Sequence, residues 1–242
     1  MTSDRASTRR EELSSGLAQV EGRIAAACRS ARRSRADVRL IVVTKNFPGS
    51  DIEALCELGV TDIGENRDQE ASAKVAGLPA GIRARLRVHF IGRLQSNKAV
   101  SVATYADTVH SVDRVKLVLA LDRAAATAGR DIGVLVQVSL GGDVSGSGRS
   151  GIPPGAVGEL ASSVAAARHL TLRGLMAVAP LGVDPDLAFA ELDSVARALR
   201  ADHPGATWIS AGMSADLEAA VANGATHLRV GSAILGSRPP VG

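Results

Sequence analysis

The stretch LIVVTKNFP, Leu40 to Pro48, decides the fold. Leu40, Ile41, Val42 and Val43 run without interruption, and three of the four are β-branched. A strand with one wet face alternates apolar and polar residues. A strand covered on both faces does not, and that is the pattern of parallel α/β sheets. Pro48 and Gly49 end the run. Lys45 stands at its carboxyl end. Taken alone, a lysine there reads as a solvated surface charge.

Outward from this stretch, strand and helix signals alternate. Eight short strands are predicted at Leu40–Thr44, Thr61–Gly64, Arg87–Ile91, Thr108–Ser111, Val134–Ser139, Leu172–Val178, Thr207–Ser210 and Leu228–Val230. Helical windows fall between them, at Asp51–Leu58, Arg67–Val75, Ser96–Ala103, Asp113–Ala128, Pro154–Ala167, Asp186–Ala201 and Ser214–Ala222. Gly59, Gly129 and Gly224 sit where left-handed helix caps are expected. An amphipathic helix from about Glu11 to Arg32, with Leu13, Leu17, Val20, Ile24, Ala27 and Cys28 on one face, precedes the first strand. Residues 1–10 read as a flexible start and 11–242 as one domain. Eight βα units in this length predict an α/β fold, a single-domain (β/α)8 TIM barrel with an extra N-terminal helix. A doubly wound open sheet is the competing topology, since pattern does not show closure.

Barrels of this kind carry their sites at the carboxyl ends of the strands. Polar and glycine residues do cluster there: Lys45, Gly64-Glu65-Asn66, the segment His89 to Lys98, His110 to Arg114, Ser210 to Ser214, and Arg229 to Ser232. This moves Lys45 from surface charge toward site residue.

The 242 residues are 45% hydrophobic and 22% charged, ample for a core, and the 2% aromatic content leaves that core to Ala, Val, Leu and Ile. The net charge of +3 reflects arginines near the start, Arg5, Arg9, Arg10, Arg23, Arg29, Arg32, Arg33 and Arg35, interleaved with Asp4, Glu11, Glu12 and Glu21. With almost no aromatics to stack bases, this reads as a solvated helix and not a nucleic-acid surface. Cys28 and Cys56 have neither CxxC nor metal-ligand spacing, which points to a reducing compartment and no metal site. No apolar run approaches the length of a membrane span, and no signal-peptide core is present. The expectation is a cytoplasmic monomer.

The loops after strands 7 and 8 often bind phosphate in barrels. Gly212 lets backbone approach closely. Ser214 is a natural cap for the helix beginning ADLEAA, and Gly231 and Ser232 offer donors opposite. Side-chain parity puts His227, Arg229 and Gly231 on one face of strand 8, and Ile41, Val43 and Lys45 on one face of strand 1. If both faces look at the axis, Lys45 and Arg229 meet at the mouth. A lysine beside another cation has a lowered pKa, and its amine is then available for imine formation. Lysine plus phosphate site leaves two ligands open: a phosphorylated sugar aldehyde, with Glu65 as a candidate carboxylate, or pyridoxal 5′-phosphate (PLP). Arg229 favours PLP, because an arginine at the pyridine nitrogen keeps it unprotonated.

The segments VVTKNFP, GENRDQEA, HFIGRLQSNK, HSVDR, RGLMAVAP, SAGMSADLEAA and THLRVGSAILGSR, in this order from Val42 to Arg238, resemble the YggS/PROSC family of PLP homeostasis proteins. The resemblance implies a barrel like the N-terminal domain of alanine racemase. It implies Lys45 as the residue bearing PLP, Asn66 near the cofactor, Ser210, Met213, Ser214, Gly231 and Ser232 in the phosphate loops, and Arg229 at the pyridine nitrogen. His89, in strand 3, is a further cofactor-binding candidate and the remaining candidate second base, beside the reading of a satisfied core histidine. The implied role is PLP binding, balance and delivery, with apo PLP-dependent enzymes as partners and no catalytic residue of its own. The alternative is a PLP-dependent amino-acid racemase-like enzyme. Two-base racemisation needs a group on each face of the cofactor. The only tyrosine, Tyr105, precedes strand 4 at the wrong end of the barrel, and a chain ending at Gly242 leaves no room for a second domain. One segment departs from the family: SLGGDVSGSGRSGI after strand 5 is glycine-rich and has Arg149 where the family carries a lysine, and arginine forms no imine.

Overall fold

The computed structural model describes residues 2–141 and 151–237. The glycine-rich segment around Arg149 lies outside the described residues. Helix α1 (Thr2–Ser30) leads into β1 (Arg39–Val43), α2 (Gly49–Glu57), β2 (Asp62–Glu65), α3 (Asp68–Ala76), the short α4 (Ala80–Arg83) and β3 (Arg87–Phe90). Then come α5 (Ala99–Tyr105), β4 (Thr108–Val112), α6 (Val115–Ala128), β5 (Ile132–Gln137), α7 (Val157–Ala165) and β6 (Leu170–Met176). The last third holds α8 (Pro185–Asp202), β7 (Trp208–Ser210), α9 (Leu217–Ala222), β8 (His227–Val230) and α10 (Ser232–Leu235).

All eight strands are parallel, in sequential order, and the sheet closes. Closure is the β1–β8 ladder, with Leu40 opposite Leu228 and Ile41 opposite Arg229. This pairing excludes the open sheet. The β5–β6 ladder slips between Val134 and Leu135.

Helix boundaries differ from the periodic reading in ways that have causes. Helix α1 begins at Thr2 and so runs through the stretch expected to be frayed. Its buried face is the expected one, with Leu13, Val20, Ile24, Ala27 and Cys28 out of solvent. Gly16, which weakens the helix signal, is needed for packing: a Cβ there would lie 2.7 Å from the Ile234 carbonyl oxygen of α10. Two arginines of this helix are partly buried in ion pairs, while Arg10 and Arg29 are exposed as expected. Arg9 binds Asp51 at 2.7 Å and the Leu235 carbonyl at 3.1 Å, and Arg23 binds Glu218 at 2.8 Å. They tie α1 to α2, α9 and α10. Helix α9 starts at Leu217 and not at Ser214, for a reason that belongs to the site.

The core has two layers. A continuous apolar layer lies between strands and helices and includes Val42, Ile63, Phe90, Val109, Val134, Leu228 and Val230. Burying it supplies the driving force for folding, at about 25 cal/mol per Å². The barrel axis is different. Ile41, Val43, Leu135 and Met176 are buried apart from that layer. With them are buried His89, His110, His227, Ser210 and Arg229. Branched aliphatic residues usually dominate such an axis; here polar groups replace many of them, and so they must be paired.

Candidate functional site

The carboxyl ends of β1, β7 and β8 enclose a cavity of about 310 Å³. Lys45, Arg229, Met213, Ser214, Gly231 and Ser232 line it, with Val43, Phe47 and Ile91 as apolar walls. Six of the ten sequence-predicted site residues therefore converge.

Lys45 is half-buried and sits on a clamped turn. The Thr44 N–H extends the ladder to the Gly64 carbonyl at 3.0 Å. Asn46 then takes a left-handed conformation (φ 66°), which asparagine tolerates. Its N–H donates to Glu70 Oε1 at 2.5 Å. Beneath the turn, Lys74 Nζ donates to the Thr44 carbonyl, Glu65 Oε1 and Glu70 Oε1, each at 2.9 Å. Thr44 Oγ1 also donates to Glu65 Oε1, at 2.7 Å. Glu65 is fully buried, and burial pushes its carboxyl up against the downward pull of Lys74. Glu65 thus supports the turn and does not line the lysine cavity. The sequence marks Lys74 and Glu70 only weakly. Their only signal there is the i, i+4 spacing on one helix, which is commonplace.

Arg229 is buried, and desolvation brings its guanidinium down to about 10, so it stays charged at neutral pH. Nη1 donates to Ser210 Oγ at 2.6 Å and Nη2 to the Ala177 carbonyl at 2.8 Å. Ser210 therefore supports Arg229 from below and does not face the cavity.

In the loop after β7, Gly212 has φ +89°, and a Cβ there would stand 2.6 Å from Ala220 Cβ. Only glycine seats this loop so close to α9. The Met213 N–H donates to Asp216 Oδ1 at 2.6 Å, which closes residues 213–216 into a turn and makes Asp216 the residue that precedes the helix. Ser214 is therefore not the helix cap. Its hydroxyl instead faces Ser232 Oγ at 3.4 Å. Ser232 opens α10, where the first backbone N–H groups have no intrahelical acceptor.

Two predicted residues lie elsewhere. Asn66 lines an adjacent cleft of about 1080 Å³, with Arg67, Arg93, Lys98 and Arg114 on its walls. His89 is fully buried in the axis, with Nδ1 2.9 Å from His110 Nε2 and Nε2 3.0 Å from Asp62 Oδ1. Tyr105 is buried against Asp68 and lines neither space. Among the described residues no group of side chains has metal-site geometry, and no helix is long and apolar enough to cross a membrane.

Fold and site together define a class: a single-domain (β/α)8 barrel whose carboxyl-end cavity combines a lysine, a buried arginine and facing serine hydroxyls. Residues 21–239 match the family model of the alanine racemase N-terminal domain. A pyridoxal phosphate homeostasis protein of Mycobacterium tuberculosis is 44% identical over 95% of this chain and 94% of its own. A protein of Bifidobacterium adolescentis, described as unknown, superposes with a TM-score of 0.87 at 33% identity, over 94% of this chain and 96% of that one. PipY of Synechococcus elongatus, solved with PLP bound, gives a TM-score of 0.74 at 36% identity, over 88% of this chain and all of the other. The chain belongs to the alanine racemase N-terminal domain family and, within it, to the pyridoxal phosphate homeostasis proteins.

Proposed function

We propose that this protein binds PLP as a Schiff base on Lys45 and acts in the homeostasis and delivery of that cofactor, without strong catalytic turnover. The observation that carries this reading is the convergence of Lys45, Arg229, Ser214 and Ser232 on one cavity. The donor set fits the group. Lys45 contributes the amine that condenses with an aldehyde. Ser214, Ser232 and the first N–H groups of α10 suit a phosphate ester. Arg229 presents a permanent cation toward the pyridine nitrogen, where it disfavours protonation of that nitrogen. A volume of about 310 Å³ is at the small end for ligand sites. Bound PLP supplies an electron-withdrawing ring; an unprotonated nitrogen makes that ring a weaker electron sink, which suits holding over turnover.

Among the described residues, no carboxylate, imidazole, phenol or thiol lines the lysine cavity. Racemisation needs a second acid–base group opposite the lysine, and His89 is committed to the axis. The aldolase reading loses its carboxylate in the same way, because Glu65 is held by Thr44 and Lys74.

The test is the visible spectrum of the purified protein, before and after borohydride, beside Lys45→Ala. The reading requires a yellow band that reduction removes and the variant lacks. A protein that stays colourless after PLP is added refutes it. Delivery is tested by the rate at which loaded protein activates an apo PLP-dependent enzyme, compared with free PLP at the same concentration. A rate no faster than spontaneous release of PLP from the protein rejects direct transfer.

A further inference from the structure

The polar groups of the axis form one continuous series. Asp62 Oδ1 meets His89 Nε2 at 3.0 Å, His89 Nδ1 meets His110 Nε2 at 2.9 Å, and His110 Nδ1 meets Ser210 Oγ at 2.9 Å. Ser210 Oγ accepts from Arg229 Nη1 at 2.6 Å. The series runs from the floor of the barrel to the arginine of the cavity.

With both rings neutral, its direction follows from the carboxylate end. Asp62 also accepts from Arg87 Nε at 2.8 Å, Arg87 Nη2 at 2.9 Å and Thr61 Oγ1 at 2.7 Å. A carboxylate so placed is an acceptor only. His89 Nε2 must then carry the proton, which leaves Nδ1 of a neutral ring as an acceptor. His110 Nε2 must donate to it, so His110 Nδ1 is bare and takes the Ser210 hydroxyl proton. That leaves the Ser210 oxygen to accept from Arg229. Every donor points the same way.

We propose that Asp62, His89, His110 and Ser210 form a one-way hydrogen-bond chain that positions Arg229, making them positioning residues for its contact with the ring of the bound cofactor. This rests on the PLP reading above. Ser210 alone could rotate its hydroxyl; bonded to a bare Nδ1, it presents a fixed lone pair to the guanidinium. With Nη2 held by Ala177, the guanidinium plane has two fixed points. Its remaining donors are thereby aimed without reorganisation when the cofactor arrives. Bonds of this kind also strengthen one another in a low-dielectric interior.

Two measurements test it. Nitrogen-15 NMR of the PLP-free protein at pH 7.5 should show His89 and His110 neutral, each protonated at Nε2. An Nδ1–H tautomer at His110, or a doubly protonated His89, reverses the chain and overturns its direction. In loaded protein, Asp62→Asn and Ser210→Ala should still trap on Lys45 with borohydride. They should shift the visible band and weaken PLP retention about tenfold, the scale on which such supporting partners act. Ser210→Ala leaves the carboxylate end intact, so it stands if Asp62→Asn does not fold. A Ser210→Ala band and retention identical to those of the parent overturn the positioning role. Arg229→Gln is the reference. If it too leaves the band unmoved while the tautomers are as stated, the contact of Arg229 with the ring fails and the positioning role with it, but the chain's direction stands.

Discussion

Acid should destabilise this barrel well above the range where carboxylates titrate, because two axial histidines are buried neutral. Burial holds His227 down to about 3 and His110 well below its ordinary 6.5. Nε2 of His227 has no partner among the described residues, so a proton there would sit unsatisfied. Unfolding frees both rings to take a proton. Their contribution is therefore complete above about pH 6.5 and is lost as pH falls toward the folded values. Each group loses about 1.36 kcal/mol per pH unit in that window. At pH 5 this is about 2 kcal/mol for each ring and about 4 kcal/mol for both. Two buried carboxylates also bear on the pH profile. Asp62 is held below its ordinary value, despite burial, by bonds from His89, Arg87 and Thr61, so its loss begins only near pH 4 and below. Glu65 is raised, so its contribution grows as pH falls and opposes the loss; a comparison with His227→Gln removes it, because Glu65 is present in both proteins. With a urea slope of about 3 kcal/mol per M for a chain of this size, the midpoint should drop by roughly 1.3 M between pH 7.5 and pH 5. Equilibrium urea unfolding followed by far-UV circular dichroism reads this directly. His227→Gln cannot titrate and should show about half the drop. A midpoint flat over the window, or an unaltered pH slope in the variant, refutes the argument.

Three other perturbations test the supports of the site. Lys74→Met leaves Glu65 buried without its cation and should cost about 3–5 kcal/mol, read by thermal melting, whereas adding Glu65→Gln should restore part of it. Gly16→Val forces a side chain into the Ile234 carbonyl, so α10 must shift. A loss of about 1–3 kcal/mol is expected, together with weaker PLP retention, since Ser232 rides on α10; unchanged retention would show the two uncoupled. Gly212→Ala combines a left-handed backbone with a 2.6 Å contact to Ala220 and should cost about 2 kcal/mol or more, with a lower urea midpoint as the readout.

How much of this could be read without coordinates depends on the range of the interaction. The uninterrupted apolar run of β1 marked a strand buried on both faces, and the alternation of short strand and helix signals placed the other seven. Parity grouped Arg229 with His227 and Gly231 on one face, because side chains alternate within one strand; which face looks at the axis stayed open. Lys45, Ser214 and Ser232 were legible as strand-end residues in a fold whose sites lie at strand ends. Closure was not legible, since the β1–β8 ladder joins residues near opposite ends of the chain. Nor was the division of labour among the polar residues. Ser214 looked like a helix cap until Asp216 took the Met213 N–H. Glu65 looked like a carboxylate for the lysine until Lys74, from a neighbouring helix, bound it. His89 was one histidine among five. Only the closed barrel brings it between Asp62 and His110 and joins both to Arg229. The sequence by itself determined which residues share a face, because that is set by backbone periodicity. Tertiary structure decided which inward groups meet, because hydrogen bonds act over about 3 Å and depend on strand register around the whole barrel.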